Sequence, residues 1–113
     1  MAGYDLEKRT FHIAKDVRKL IKRLPPTISN VEDGKQLIRS SGSVGANYIE
    51  ANEALSKKDF AYRIKICRKE AKESRYWLKL LFIDNMDLEK ECNKLFQEAT
   101  ELMKIFGAIS NKC

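Results

Sequence analysis

Five basic residues, Lys65, Arg68, Lys72, Arg75 and Lys79, recur in steps of three and four. On a helix that spacing sets them along one flank as a continuous cationic ridge. A second basic group, Lys15, Arg18, Lys19, Lys22 and Arg23, lies nearer the N-terminus. Such ridges track phosphates and release their counterions, which is the chemistry of sequence-independent RNA or DNA binding. The same spacing equally describes a solvated helix face with its aliphatic stems laid along a core. Catalytic chemistry finds less to work with. His12 is the sole histidine, and no second histidine or cysteine pair stands at ligand spacing from it. Glu70 and Glu73 resemble half of a carboxylate-bridged metal site, but those sites add a Glu-x-x-His that this chain lacks. No nucleophile–base pair stands out. The expectation is a protein that is not an enzyme and uses no metal or cofactor.

Helical periodicity positions these residues, in four segments at about 5–24, 30–54, 57–84 and 88–110. In the first, Asp5 is a candidate cap, and Phe11, Ala14, Val17, Ile21 and Leu24 step by three and four up to Pro25-Pro26, which stops the helix. In the second, Asn30 is the expected cap, with Glu32 and Asp33 favourably placed in the helix dipole. Leu37, Ile38, Ser41, Val44, Tyr48 and Ile49 form its expected buried stripe. Gly42 and Gly45 sit among Ser40, Ser41, Ser43 and Ala46, a small-residue patch that reads as close approach of a neighbouring helix. The Gly-Lys-Ser/Thr of a phosphate loop is absent.

The third segment opens at Ser56-x-x-Asp59, a variant capping box. Phe60, Ile64, Cys67, Ala71, Ser74, Leu78 and Leu81 then alternate steps of four and three. After a turn at 84–87, with Asp87 as the expected cap, Leu88, Cys92, Leu95, Ala99, Leu102, Phe106 and Ile109 repeat the pattern. Two such helices joined by a tight turn pack antiparallel. That register separates Cys67 and Cys92 by several turns, too far for a disulfide. The predicted fold is all-α, a single up-down-up-down antiparallel four-helix bundle over residues 1–113.

The other flank of the third segment carries Glu70, Glu73 and Trp77, and the second segment offers a matching edge of Gln36, Arg39, Ser43, Asn47 and Glu50. Antiparallel about Ser56, these put Arg39 level with Glu73, Ser43 with Glu70, and Glu50 with Arg63. A partly buried polar network follows, with Arg39 forked onto Glu70 or Glu73 and a role in fixing helix register. Further along, Trp77 to Ile83 is apolar almost all round, more than one core can bury, and predicts a subunit interface.

Composition sets the frame. A chain of 113 residues with 43% hydrophobic and 34% charged residues can bury a core of its own. A net charge of +6 favours polyanionic partners. No apolar run reaches membrane length, and Met1 to Arg9 lacks the apolar core of a signal peptide. Three cysteines without a CxxC suit a reducing compartment, so a cytoplasmic protein is expected.

The residues Gln36 to Ala51 (QLIRSSGSVGANYIEA), Lys58-Asp59-Phe60, and Lys69 to Ser74 followed by Trp77-Leu78 carry a resemblance that spans nearly the whole chain. It resembles the four-helix-bundle proteins encoded in intervening sequences of bacterial 23S rRNA genes, the S23 ribosomal protein family. The shared pattern is an Arg, a Ser, then Asn-x-x-Glu, ahead of a Glu-rich third helix. The chain departs at Val44-Gly45, where the commonest relatives carry Val-Pro or Ile-Pro. The resemblance implies an antiparallel bundle assembled as a homopentamer. A related branch, the accessory proteins of diversity-generating retroelements, is similar in fold and binds a reverse transcriptase and nucleic acid through a basic surface. The expected function is a non-enzymatic oligomeric module that binds RNA or DNA through its basic helix faces. The alternative is an interaction scaffold for an acidic or nucleic-acid-handling protein.

Overall fold

The structure, a computed structural model, describes residues 5–113; the part of Met1 to Arg9 that precedes Asp5 lies outside it. Four helices follow one another, α1 (Leu6–Arg23), α2 (Ile28–Asn52), α3 (Lys57–Leu80) and α4 (Met86–Asn111). Each packs on its neighbours in the order α1–α2–α3–α4 and back to α1, which leaves α1 and α3 on one diagonal. The register shows antiparallel pairing throughout. Ile21 meets Gly34 while Thr10 meets Gly45, Asn30 meets Phe82 while Asn47 meets Arg63, and Leu78 meets Cys92 while Arg75 meets Thr100. The fold is the expected all-α antiparallel four-helix bundle.

The caps explain where each helix starts. Asp5 accepts from the Lys8 amide at 3.4 Å and Ser56 from that of Asp59 at 3.0 Å, both at the expected positions. Two caps differ from expectation. Helix α2 is capped by Thr27, whose hydroxyl accepts from the Asn30 amide at 3.1 Å, so Glu32 and Asp33 fall past the first turn. Helix α4 is capped by Asn85, which accepts from Asp87 and Leu88, rather than by Asp87.

Asn30 has a different task. Only 3% exposed, it donates to the carbonyls of Pro25 and Phe82 at 2.9 and 2.8 Å and accepts from the Phe82 amide at 2.8 Å. One side chain thereby ties the α1–α2 connection to the α3–α4 connection. It also ends α3 at Leu80, earlier than the expected 84, because Phe82 spends its backbone groups on Asn30. Leu81 adopts extended backbone and turns into the core, while Phe82 stays exposed.

The seams of α3 and α4 bury the expected residues except Phe60 and Ile109, which are half-buried at the edge of the core. Ile64, Cys67, Ala71, Ser74, Leu78 and Leu81 face Leu88, Cys92, Leu95, Ala99, Leu102 and Phe106 across the core. In α1 the buried face is rotated from the expected one. Leu6, Thr10, Ile13, Val17, Leu20 and Leu24 point inward, whereas Phe11 is exposed and Ala14 and Ile21 sit at the edge. Thr10 can turn inward because its hydroxyl donates to the Leu6 carbonyl at 2.7 Å and because Gly45 makes room for it. Ile49 of α2 is likewise exposed rather than buried.

Burial has a chemical consequence for the thiols. Cys67 is pushed up to about 12 and Cys92 is raised, in both cases chiefly because the interior disfavours a thiolate. Cys113 is exposed. A thiol reagent at pH 8 is expected to modify Cys113 rapidly and the other two only on unfolding, checked by mass spectrometry with and without urea. Below pH 9 the Cys67 proton is held in both folded and unfolded chains. Between 9 and 12 only the unfolded chain releases it, so stability falls across that window.

Candidate functional site

Of the ten predicted cations, Lys65, Arg68, Lys72 and Lys79 on α3 and Lys15, Arg18, Lys19, Lys22 and Arg23 on α1 are exposed. Among the described residues none of the ten forms an ion pair; the ion pairs present use Arg9, Lys35 and Arg39. Their positive field is therefore directed at solvent. The two groups do not share a surface. The α3 ridge borders α4, whereas Arg18 reaches across α2 to Gly42, and these two seams lie on opposite flanks of the bundle.

Between α3 and α4 the ridge lines one side of a groove of about 730 Å³. Lys65 and Arg68 stand on one bank and Lys104 on the other, with Met103, Gly107 and Ala108 between them. Gly107 is what admits Arg68: a Cβ there would lie 3.2 Å from the guanidinium Nε. Lys104 is a site residue the periodicity of α3 did not include. It comes from α4, and the antiparallel packing of α3 on α4 brings it to the same groove as Arg68.

Arg75 behaves differently from the rest of the ridge. Half-buried, it donates through Nε to Thr100 Oγ1 at 2.9 Å, reaches Met103 Sδ at 3.4 Å and lies over the Phe96 ring at 4.8 Å. Its charge is spent on holding α3 against α4. Arg9 does comparable work between α1 and α4, forked onto Glu98 at 2.9 and 2.7 Å and reaching Glu101 at 2.9 Å. The hydrogen bond to Glu98 is the chief cause of the upward shift of its guanidinium pKa.

The polar stripe between α2 and α3 forms with altered pairings. Arg39 bridges Glu73 at 3.2 Å and Glu70 at 3.7 Å, as expected. Arg63 donates to Asn47 at 3.0 Å and not to Glu50, which is exposed. Ser43 accepts from Asn47 at 3.0 Å and does not reach Glu70. Asn47 and Ser43, four apart on α2, meet each other, and Asn47 then presents its side-chain oxygen to Arg63 across the seam. Glu70 is only 7% exposed, and its Oε1 has no hydrogen-bond partner, so the neighbouring Arg39 supplies the compensating charge. Beneath this stripe Ser40 and Ser74 share a buried hydroxyl bond of 2.9 Å. Small hydroxyls here let α2 and α3 approach closely.

Among the described residues no three His, Cys, Asp or Glu side chains converge as a metal site would require, and no helix is long and apolar enough to cross a membrane.

No curated protein matches the chain. A solved structure does: a protein of unknown function from the S23 ribosomal protein family of Bacteroides thetaiotaomicron, 28% identical, covering 92% of this chain and 96% of that one with a TM-score of 0.77. Residues 4–108 match the family described as 23S rRNA-intervening sequence protein. With that match running over nearly the full length and the same bundle in the solved relative, the chain belongs to the 23S rRNA-intervening sequence protein family.

Proposed function

We propose that the chain is a cytoplasmic, non-enzymatic helical module that works as a homo-oligomer and binds RNA or DNA through its phosphates. One observation carries this reading. Lys65, Arg68 and Lys104 converge on a single open groove without an acidic partner, and Lys72 and Lys79 extend the line of charge along α3. Uncompensated cations spaced along a groove attract a polyanion and displace its counterions. The groove offers ammonium and guanidinium groups but no flat aromatic platform, which favours phosphate contacts over base stacking.

The test is the salt dependence of binding. With a fluorescently labelled RNA of mixed sequence, log affinity is expected to fall linearly with log salt, at a slope of about four for five contacts on a single strand. A slope near zero, or no binding at about 50 mM salt, overturns the reading.

Self-assembly draws support from one end of the bundle. Ile28 and Val31 at the start of α2, Leu80 and Phe82 at the end of α3, and Met86 at the start of α4 are all exposed there. Five large apolar side chains clustered on a bundle end mark a contact surface. A pentamer is the assembly the family resemblance implies. Light scattering coupled to size exclusion is expected to give a mass several times that of one chain, and Phe82→Glu to reduce it; a monomer at micromolar concentration refutes the oligomer.

A further inference from the structure

Two tyrosines on the outer face of α3 repeat one setting. Lys58-x-x-x-Tyr62-x-x-Lys65 recurs two heptads on as Lys72-x-x-x-Tyr76-x-x-Lys79. On a helix, the residues at i−4 and i+3 flank residue i on the same surface, so each ring stands between two ammonium groups. The heptad between the rings carries Lys69 at the equivalent position. All five lysines are exposed, and among the described residues none of them forms an ion pair. Carboxylates on this face are otherwise engaged. Glu73 is held by Arg39 at 3.2 Å, and Asp59 stands in the first turn of α3, where the helix dipole favours it.

Both rings are 59% exposed, and each is braced by a neighbour. The Arg63 guanidinium lies 5.8 Å from the centre of the Tyr62 ring and is itself tied to Asn47 of α2 at 3.0 Å. Tyr76 meets the half-buried Trp77 ring edge to face, with centres 5.0 Å apart. A single exposed tyrosine is ordinary on any protein surface. Two of them in the same lysine frame, in register with the cationic ridge, are not.

Cations interleaved with rings are the means by which proteins hold single strands. Ammonium groups follow the phosphates, and bases stack on the rings without regard to sequence, because every base has a π face. A duplex has no use for the rings, since its bases are already stacked on one another. The α3/α4 groove has no ring in its lining and grips phosphates of either form. The tyrosines beside it add the discrimination.

We infer that the ligand of this surface is a single-stranded nucleic acid, its phosphates along Lys58, Lys65, Lys72 and Lys79 and one base on each of Tyr62 and Tyr76. This rests on the nucleic-acid reading above and narrows it to one class of ligand. The rings lie about 21 Å apart along α3, so the strand runs along the helix and meets both within one protomer.

Fluorescence anisotropy compares an oligo(U) strand of about 20 nucleotides with a duplex RNA of the same length at one salt concentration. The single strand is expected to bind about tenfold more tightly or better. Tyr62→Ala with Tyr76→Ala should weaken the single strand about tenfold or more and leave the duplex within about twofold, erasing the preference. The salt slope should stay unchanged, because no phosphate contact is lost. Tyr76→Phe keeps the ring and should keep the affinity. In NMR the ring protons of Tyr62 and Tyr76 should move upfield with the single strand and stay in place with the duplex. Equal affinity for the two forms, a preference for duplex, or undiminished single-strand binding by the double variant overturns this inference and leaves the nucleic-acid reading standing. Loss of affinity in Tyr76→Phe would assign the contact to the hydroxyl and overturn the stack. A change of assembly mass in the double variant would assign the rings to a subunit contact and overturn it too. No binding of either form overturns both readings.

Discussion

Reversing the charge at Lys65, Arg68 and Lys104 together is expected to weaken RNA binding about 100-fold near 0.1 M salt and to lower the salt slope by about two. These three are the right set because each is free to face a ligand and none holds helices together. Arg68 lies along Gly107 without a hydrogen bond that α4 depends on, and all three line the groove. Arg75 would be a misleading choice. Its guanidinium bonds Thr100 and covers Phe96, so Arg75→Glu would disturb packing and charge at once. Two controls make the result decisive. The triple variant should retain its helical circular dichroism and melting temperature, and Lys15→Glu with Lys19→Glu on the opposite flank should cost less than about threefold. Equal losses from both flanks would mean that net charge, and not the groove, governs binding.

Asn30→Ala should lower the unfolding free energy by about 3 kcal/mol, measured by urea denaturation. The amide makes three hydrogen bonds to backbone groups of two separate connections. Removing it strands the Phe82 N–H and two carbonyls at a site the side chain had sealed. For a domain of this size that is a large part of the total stability. Asn30→Asp gives the sharper comparison. It keeps the acceptor for the Phe82 amide but turns a carboxylate oxygen toward the carbonyls of Pro25 and Phe82, so it should rescue nothing. If Asn30→Asp were as stable as the parent, the donated bonds would have no importance.

How much the sequence revealed depended on whether the deciding contact was local. The α3 and α4 seams were legible because Leu, Ile, Ala and Cys at steps of three and four have only one way to hide on a helix. The buried face of α1 was not. Thr10 reads as polar, yet its hydroxyl is satisfied within its own helix and its burial depends on Gly45 thirty-five positions away. Asn30 looked like a cap because capping is the commonest use of asparagine before a helix. Its contact with Phe82, 52 residues on, has no periodic trace. The cationic ridge illustrates the same division. Spacing set five residues on one flank, but only the neighbouring helix decides that Arg75 is spent inward and that Lys104 joins the others.

The connections also bear on the order in which the molecule assembles. Residues 24–27, 53–56 and 81–85 are the whole of the chain between helices, so each sequential pair can zip with little loop entropy to overcome. The seam of α1 with α4 differs, since its Arg9 bonds close loops of 89 and 92 residues. By loop entropy alone, the seam that Arg9 makes with Glu98 and Glu101 is therefore expected to close after the sequential pairs have formed.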